Sequence, residues 1–366
     1  MQMGGFHTYL NACGYSADFQ DVLQQSHWDA TILVVTIPAF IVAFFGNLLL
    51  LVILIKKGWI KQRTFFIVSN MTFIDFLVSL LVLLPDIYYA IRKEYFLGEL
   101  GCILFGTANT LNFNGTPSLM VLLATERYIA IVRTFDHKIW LRKRNLVIAM
   151  GVLYLYLLIL IVITERDTDL VNGVCMLGMA PIPQKEFHLI SSFFIPAIII
   201  TILYSIIWRT FTKTDNSSST DIEKEPQTNY YDRKRPSMSA ILFQKTLVRN
   251  QKKTESAVYL NGGLRRHGKA PIPRIRMKMI KVFTISVIIF YITYLPYTVI
   301  TIWRLIAEKS LLCIFPADNS LLMRFLPLSY MIFAYNSALN PLIYFTLSTR
   351  IRKEVQKMFR IGESRA

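Results

Sequence analysis

"NGTPSLMVLLATERYIAIVRTF" runs from Asn114 to Phe135. Most of it is apolar, as a helix dissolved in lipid would be. Yet it opens on a polar cluster, carries Pro117, and holds an adjacent charged pair, Glu126-Arg127. Ionisable groups inside a membrane helix are costly and mark functional positions. Arg127 lies 25 residues after Cys102, about 38 Å along a helix at 1.5 Å per residue. With Cys102 at the outer boundary, the pair falls at the inner boundary of a hydrocarbon core roughly 30 Å thick. Opposite charges can neutralise each other there. The planar guanidinium can also turn away to meet carbonyls or carboxylates of a cytoplasmic partner.

The rest of the chain supports a lipid environment. Of 366 residues, 54% are hydrophobic and 17% charged, against about 25% charged in soluble domains. Seven apolar stretches suit the roughly 20 residues a spanning helix needs: 31–55, 65–91, 102–132, 145–164, 187–208, 277–306 and 322–346. The third and seventh are the least uniformly apolar. The predicted fold class is an all-α membrane protein, a seven-transmembrane helix bundle with a short amphipathic eighth helix. Residues 1–29 carry Asp18, Asp21 and Asp29 and no Lys or Arg, whereas Lys56, Lys57, Lys61 and Arg63 fill the first loop. Arg133, Lys138, Arg142, Lys143 and Arg144 fill the third. Basic loops stay cytoplasmic, so 1–29 is expected to be an extracellular segment and 30–346 the membrane domain. Within it, 209–276 is a long third cytoplasmic loop, and 347–366 is an amphipathic helix and tail. The net charge of +17 then faces anionic lipid rather than nucleic acid. No cleavable signal peptide is read in the first 28 residues, so the first span is expected to direct its own insertion.

Several polar residues fall inside the spans. Asp75 is mid-span in "NMTFIDFLVSLL"; Asn112 and Thr116 lie four apart on the third; Asn336, Ser337 and Asn340 lie in "NSALNPLIY". They are expected to build a hydrated pocket for a hard monovalent cation, sodium, near Asp75, or else a purely structural polar network. No other cofactor and no metal centre is expected. Pro196, Pro296 and Pro341 each remove a backbone hydrogen bond and kink a helix. The carbonyls so freed need partners inside a membrane, and Asn336 and Asn340 are expected to serve Pro341.

The loop 209–276 is too polar to fold alone. "RKRPSMS" around Ser237 and the run Ser217–Thr220 offer phosphorylation sites. In "IRKEVQKMF", Ile351, Val355, Met358 and Phe359 make one apolar face of a basic helix lying on the inner membrane surface. The four cysteines, Cys13, Cys102, Cys175 and Cys313, all fall on the outer side and allow three pairings. No nucleophile–base pair, metal-ligand spacing or phosphate loop supports an enzyme. No duplicated halves support a transporter.

Taken in order along the spans, Gly46-Asn47, Asp75, "ERY" at Glu126-Arg127-Tyr128, Pro196 with Tyr204, and "NPLIY" at Asn340–Tyr344 resemble a rhodopsin-like (class A) G-protein-coupled receptor over about 30–360. The resemblance implies a plasma-membrane receptor, amino end outside, that passes binding of an extracellular ligand to a heterotrimeric G protein and then meets receptor kinases and arrestin. Glu126, Arg127, Tyr128, Tyr204, Asn340, Pro341 and Tyr344 would form its activation switch. Asn47 would join Asp75, Asn112, Thr116, Asn336, Ser337 and Asn340 in the polar pocket. Cys102 would pair with Cys175, leaving Cys13 and Cys313 for a second bridge. By analogy the ligand pocket includes Asn109, Thr110, Phe113, His188, Ser192, Tyr294, Tyr297, Thr301 and Tyr330.

The chain departs from the family in instructive places. Tyr294 stands where the sixth-helix tryptophan is usual, with Phe290 retained four before it. Pro117 takes a normally apolar position, and Tyr154 takes that of the fourth-helix tryptophan. Arg276 lies near where the family has a lock residue for Arg127, which implies raised basal activity. Asn109 replaces the aspartate of amine receptors, arguing against a cationic monoamine. Ala334 replaces the retinal lysine, and a Schiff base needs that amine. A bridge from Cys13 would hold the amino-terminal segment over the mouth and so favours a peptide ligand. The alternatives are a small neutral molecule, melatonin-like, or a constitutively active or non-signalling receptor.

Overall fold

The computed structural model describes residues 26–92, 94, 97–133, 142–165, 169–171, 174–176, 182–222, 274–310 and 328–363. Helix α1 is Ser26–Lys56, beginning inside the segment expected to lie outside. It ends at Gly58, whose φ of +63° suits glycine because no Cβ clashes there. A short turn, Trp59–Lys61, leads to α2, which runs as Arg63–Val78, a wide π segment Ser79–Leu83, and Leu84–Arg92. Helix α3 has the same plan: Gly98–Thr110, a π segment Leu111–Gly115, and Thr116–Ile131. Helix α4 is Lys143–Glu165. A two-stranded antiparallel hairpin follows, β1 Asp169–Val171 with β2 Val174–Met176, in the register Leu170 to Cys175. Helix α5 runs as Ile182–Leu189, a π segment Ile190–Phe194, and Ile195–Ile222. Helix α6 is Arg274–Ser310. Helix α7 covers 328–334, breaks in a turn at Tyr335, and resumes as Asn336–Leu347. Helix α8 is Thr349–Glu363.

Met1–Trp208 and Pro273–Ala366 form one compact unit; Arg209–Ile272 forms a second, whose described residues, 209–222, are helical. Ser217–Thr220 thus lie where α5 continues into the 209–276 segment. Ser237, Cys13 and Cys313 lie outside the described residues.

Each π segment ends two residues before a proline: Pro85, Pro117 and Pro196. Proline offers no N–H, and its ring collides with the carbonyl four residues back. One extra residue in the preceding turn relieves that collision. Pro38, Pro296 and Pro341 lie inside continuous α segments instead.

Five helical spans are long and apolar enough to cross a membrane: Leu33–Lys56, Arg63–Arg92, Lys143–Ile163, Lys185–Thr210 and Val282–Trp303. Helices α3 and α7 fall short among the described residues: α3 carries many polar residues, and α7 is broken at Tyr335 into two short pieces. The faces are inverted relative to a soluble protein. Val34, Val152 and Ile292 are each more than 60% exposed, whereas Asn47, Asp75, Asn112, Thr116, Asn336 and Ser337 are completely buried. Apolar atoms facing outward around a polar axis are stable only in lipid. The chain is a multi-pass membrane protein built as a seven-helix bundle. Its buried apolar core joins Leu50, Ile67, Met71, Leu119, Leu123, Phe283, Phe290 and Tyr344. Helices α1 and α7 meet at Gly46, where an added Cβ would stand 2.9 Å from Pro341 Cγ.

Candidate functional site

The polar axis has three levels. At the outer level, a disulfide joins Cys102 at the head of α3 to Cys175 in β2, which brings the hairpin to the mouth of the bundle. Below it Tyr330 of α7 donates to Asn109 Oδ1 of α3 at 2.9 Å, and Asn109 Nδ2 donates back to the Phe105 carbonyl. Phe113, Tyr297 and Phe333 pack with centroids 5.3–5.5 Å apart. The structure thus brings Asn109, Phe113, Tyr297 and Tyr330 together. Thr301 donates to the Tyr297 carbonyl of its own helix. His188 is half-buried, Thr110 is buried, and Ser192 is completely buried with no partner for its Oγ among the described residues. Ala334 is buried between helices rather than facing an open cleft.

Tyr294 forms the floor. It is fully buried, with its ring 4.4 Å from Phe290 and 4.7 Å from Phe333. Its hydroxyl donates to the Asn112 carbonyl at 3.0 Å. Asn112 sits in the π segment that precedes Pro117. In that five-residue hydrogen-bonding register its carbonyl faces the proline nitrogen, which has no hydrogen to give. The two departures, Pro117 and Tyr294, are therefore one device: the proline frees an acceptor and the tyrosine fills it. Tyr154, expected to stand where the family has a tryptophan, donates to Asn70 Oδ1 at 2.7 Å, tying α4 to α2.

At the middle level Asp75 Oδ2 accepts from Asn340 Nδ2 at 2.8 Å, and Ser337 adjoins the same carboxyl. Thr293 reaches Asn336 Oδ1 at 3.4 Å. One correction concerns Pro341. Neither Asn336 nor Asn340 serves the carbonyl it frees, that of Ser337. Asn47 of α1 does so from 3.0 Å, while also donating to the Ala43 carbonyl at 2.8 Å. Asn340 is turned to Asp75 because a buried carboxylate needs donors more urgently than a neutral carbonyl does. Asp75 Oδ1, both polar atoms of Asn112, Thr116 Oγ1, Ser337 Oγ and Asn340 Oδ1 are buried without partners among the described residues. Buried orphan polar atoms call for water or an ion. This oxygen-rich set fits a hard cation.

At the inner level Glu126 is buried and accepts from Thr64 of α2 at 3.3 and 3.4 Å. Arg127 Nε stands 2.8 Å from Glu126 Oε2, but its N–H is not aligned on the oxygen, so the contact is an ion pair rather than a directed hydrogen bond. The guanidinium carbon lies 5.2 Å from the Phe283 centroid. Helix α6 therefore meets Arg127 with an aromatic face, worth about 0.5–2 kcal/mol. Tyr344 packs edge-on to Phe283 at 6.4 Å with no hydrogen-bond partner for its hydroxyl among the described residues, and Tyr204 has Arg127 and Glu126 as charged neighbours. Tyr128 is half-buried one residue on. The side chain of Arg276 lies outside the described residues.

Helix α8 is docked on the bundle by its first turns. Its apolar face belongs partly to the bundle: Ile351 is completely buried and Val355 packs against the core, leaving Met358 exposed. Arg350 lies 3.9 Å above the Trp59 ring and donates to Gln62 at 2.9 Å. Lys57 pairs with Glu354 at 2.6 Å. That hydrogen bond, with Lys357 nearby, holds the Glu354 carboxyl below the usual range.

Sequence reasoning missed Phe333, Phe283 and Asp86. The two phenylalanines carried no signal beyond apolarity. Asp86 did, as a second acid inside the span that holds Asp75.

The profile of the 7 transmembrane receptor (rhodopsin family) matches residues 46–344, and the chain belongs to that family. It is similar to the Trissin receptor of Drosophila melanogaster, 27% identical over 99 residues, covering 27% of this chain and 15% of that protein. It is 28% identical over 152 residues to Neuromedin-U receptor 2 of Homo sapiens, covering 41% and 36%. Similarity to the Thyrotropin-releasing hormone receptor of Gallus gallus is 21% over 361 residues, covering 95% of this chain and 83% of that one. The first two matches thus span well under half the length of those relatives. Family and relatives are receptors, not enzymes.

Proposed function

We propose that this chain is a plasma-membrane receptor, amino end outside, that converts binding of an extracellular peptide into activation of a heterotrimeric G protein. Residues 1–29 would be its outer segment, 30–346 the receptor domain, 209–276 the cytoplasmic loop, and 347–366 the inner helix and tail. The observation that carries this reading is the state of Arg127. It is held by an imperfect ion pair with its own α3 neighbour Glu126 and by an aromatic face from α6, so a modest shift of α6 removes the face and leaves only the misaligned pair to break. The peptide class rests on relatives that are peptide receptors. The ligand would sit among Asn109, Phe113, Tyr297 and Tyr330, over the Tyr294 floor. Sodium would occupy the oxygen set around Asp75. Receptor kinases and arrestin would engage the cytoplasmic side after activation.

The neutral, aromatic lining at Asn109–Tyr330 supports a small neutral ligand as the second reading. The test is a G-protein reporter panel run with a peptide library, comparing wild type with Arg127→Ala at matched surface expression. Coupling, including any basal signal, is expected to vanish in the variant. Undiminished signalling in Arg127→Ala, or no signal from wild type under any condition, would refute the reading.

A further inference from the structure

We infer that Asp86 is an anionic anchor in the outer cleft that takes a basic group of the ligand, a guanidinium or an ammonium. The inference deepens the receptor reading and rests on it. Asp86 lies in the outer part of α2, Leu84–Arg92, about 16 Å outward of Asp75 and about 9 Å short of the helix end at 1.5 Å per residue. Its flanks are closed, with Pro85 and Ala90 buried, but Asp86 itself is only half-buried. No described side chain gives it a hydrogen bond or a neighbouring charge. Asp75 on the same helix is met by Asn340. A carboxylate at membrane depth requires a cation or donors, and the fold supplies Asp86 with neither among the described residues. Arg92, the next described basic residue on α2, is exposed.

The packing gives its location. Leu83, three residues earlier and therefore near the same face of the helix, shares one buried apolar cluster with Ala39 and Ala43 of α1 and Ala334 and Ala338 of α7. One turn outward from Leu83 on α2 is Asp86. One turn outward from Ala334 on the oppositely directed α7 is Tyr330, which bonds Asn109. By this count Asp86 and Tyr330 stand at the same level of the bundle, which on this inference puts the anion in the wall of the cleft whose aromatic members are Tyr330, Tyr297 and Phe113. Aromatic faces beside a carboxylate favour an organic cation. The absence of an acid at Asn109 therefore does not make the cleft neutral. The negative charge comes from α2, on the side of α1 and α7.

The test uses the purified full chain in nanodiscs and measures binding by thermal stabilisation, which needs no G protein. The probes are two pools of N-acetylated, C-amidated tetrapeptides rich in aromatic residues. They are identical except that one fixed position is arginine in the first and citrulline, its neutral isostere, in the second. The arginine pool is expected to bind about tenfold or more tightly than the citrulline pool, the scale of a close charge pair. Asp86→Asn should erase that preference and Asp86→Glu should keep it. Equal binding of the two pools to wild type, no binding of either, or a preference that survives Asp86→Asn would each overturn the inference. The wild-type comparison stands even if a variant fails to fold. Arginine-selective stabilisation without any G-protein response would leave the anchor intact and sink the signalling reading instead.

Discussion

Replacing Tyr294 by phenylalanine isolates one hydroxyl. The ring keeps its place against Phe290 and Phe333, at 4.4 and 4.7 Å, while the hydroxyl's bond to the Asn112 carbonyl and its contact with Thr116 are lost. A buried hydrogen bond contributes about 0.5–1.5 kcal/mol net, and an acceptor left unsatisfied costs about 1–3 kcal/mol. The Asn112 carbonyl has no backbone donor to fall back on, because Pro117 follows in register. The expected loss in the arrangement seen here is therefore about 1–2 kcal/mol. The bond runs between α6 and α3, so any shift of α6 breaks it. Its loss then favours the shifted state by a factor of roughly 5–30. The assay is basal G-protein signalling normalised to surface expression, paired with the melting temperature of the purified protein. Basal output should rise and Tm should fall. A fall in Tm with basal output unchanged would mean that both states keep the bond, and the reasoning that makes Tyr294 a latch would be wrong.

Other consequences can be checked separately. Gly46→Ala places a methyl 2.9 Å from Pro341 Cγ, a ring that cannot turn aside. It should cost about 1–3 kcal/mol, read as a lower Tm, with Gly115→Ala milder because its neighbours are the side-chain ends of Ile74 and Leu157. Sodium should raise the Tm of wild type more than an equal concentration of N-methylglucamine does, since a bound ion stabilises the folded state, and Asp75→Asn should remove the difference. Docking of α8 should depend on acid. Because the Glu354 carboxyl is held below its usual value, its contribution is complete above about pH 4.3, the ordinary glutamate value. It is lost as pH falls through the depressed value, which a spin label on α8 would report as increased mobility, and Glu354→Gln should abolish the pH dependence.

Much of this protein is legible from the chain alone because lipid imposes simple rules. A spanning helix must be apolar for about 20 residues, so the seven spans follow from composition along the chain, and the basic loops give the direction expected for them. The few polar residues in those spans are conspicuous for the same reason, and Asp75, Asn109, Asn112, Arg127 and Asn340 all lie on the polar axis. Pairing is a different matter. Which donor reaches which acceptor depends on how helices far apart in sequence are rotated against each other. Asn47, 290 residues from Ser337, fills a carbonyl that local reasoning gave to Asn336 or Asn340. The π segments before Pro85, Pro117 and Pro196 shift every later side chain on their helices around the axis. Apolar periodicity does not reveal that shift, since lipid accepts any apolar face. Only the packed bundle decides that Phe283 meets Arg127 and that Tyr294 closes onto Asn112.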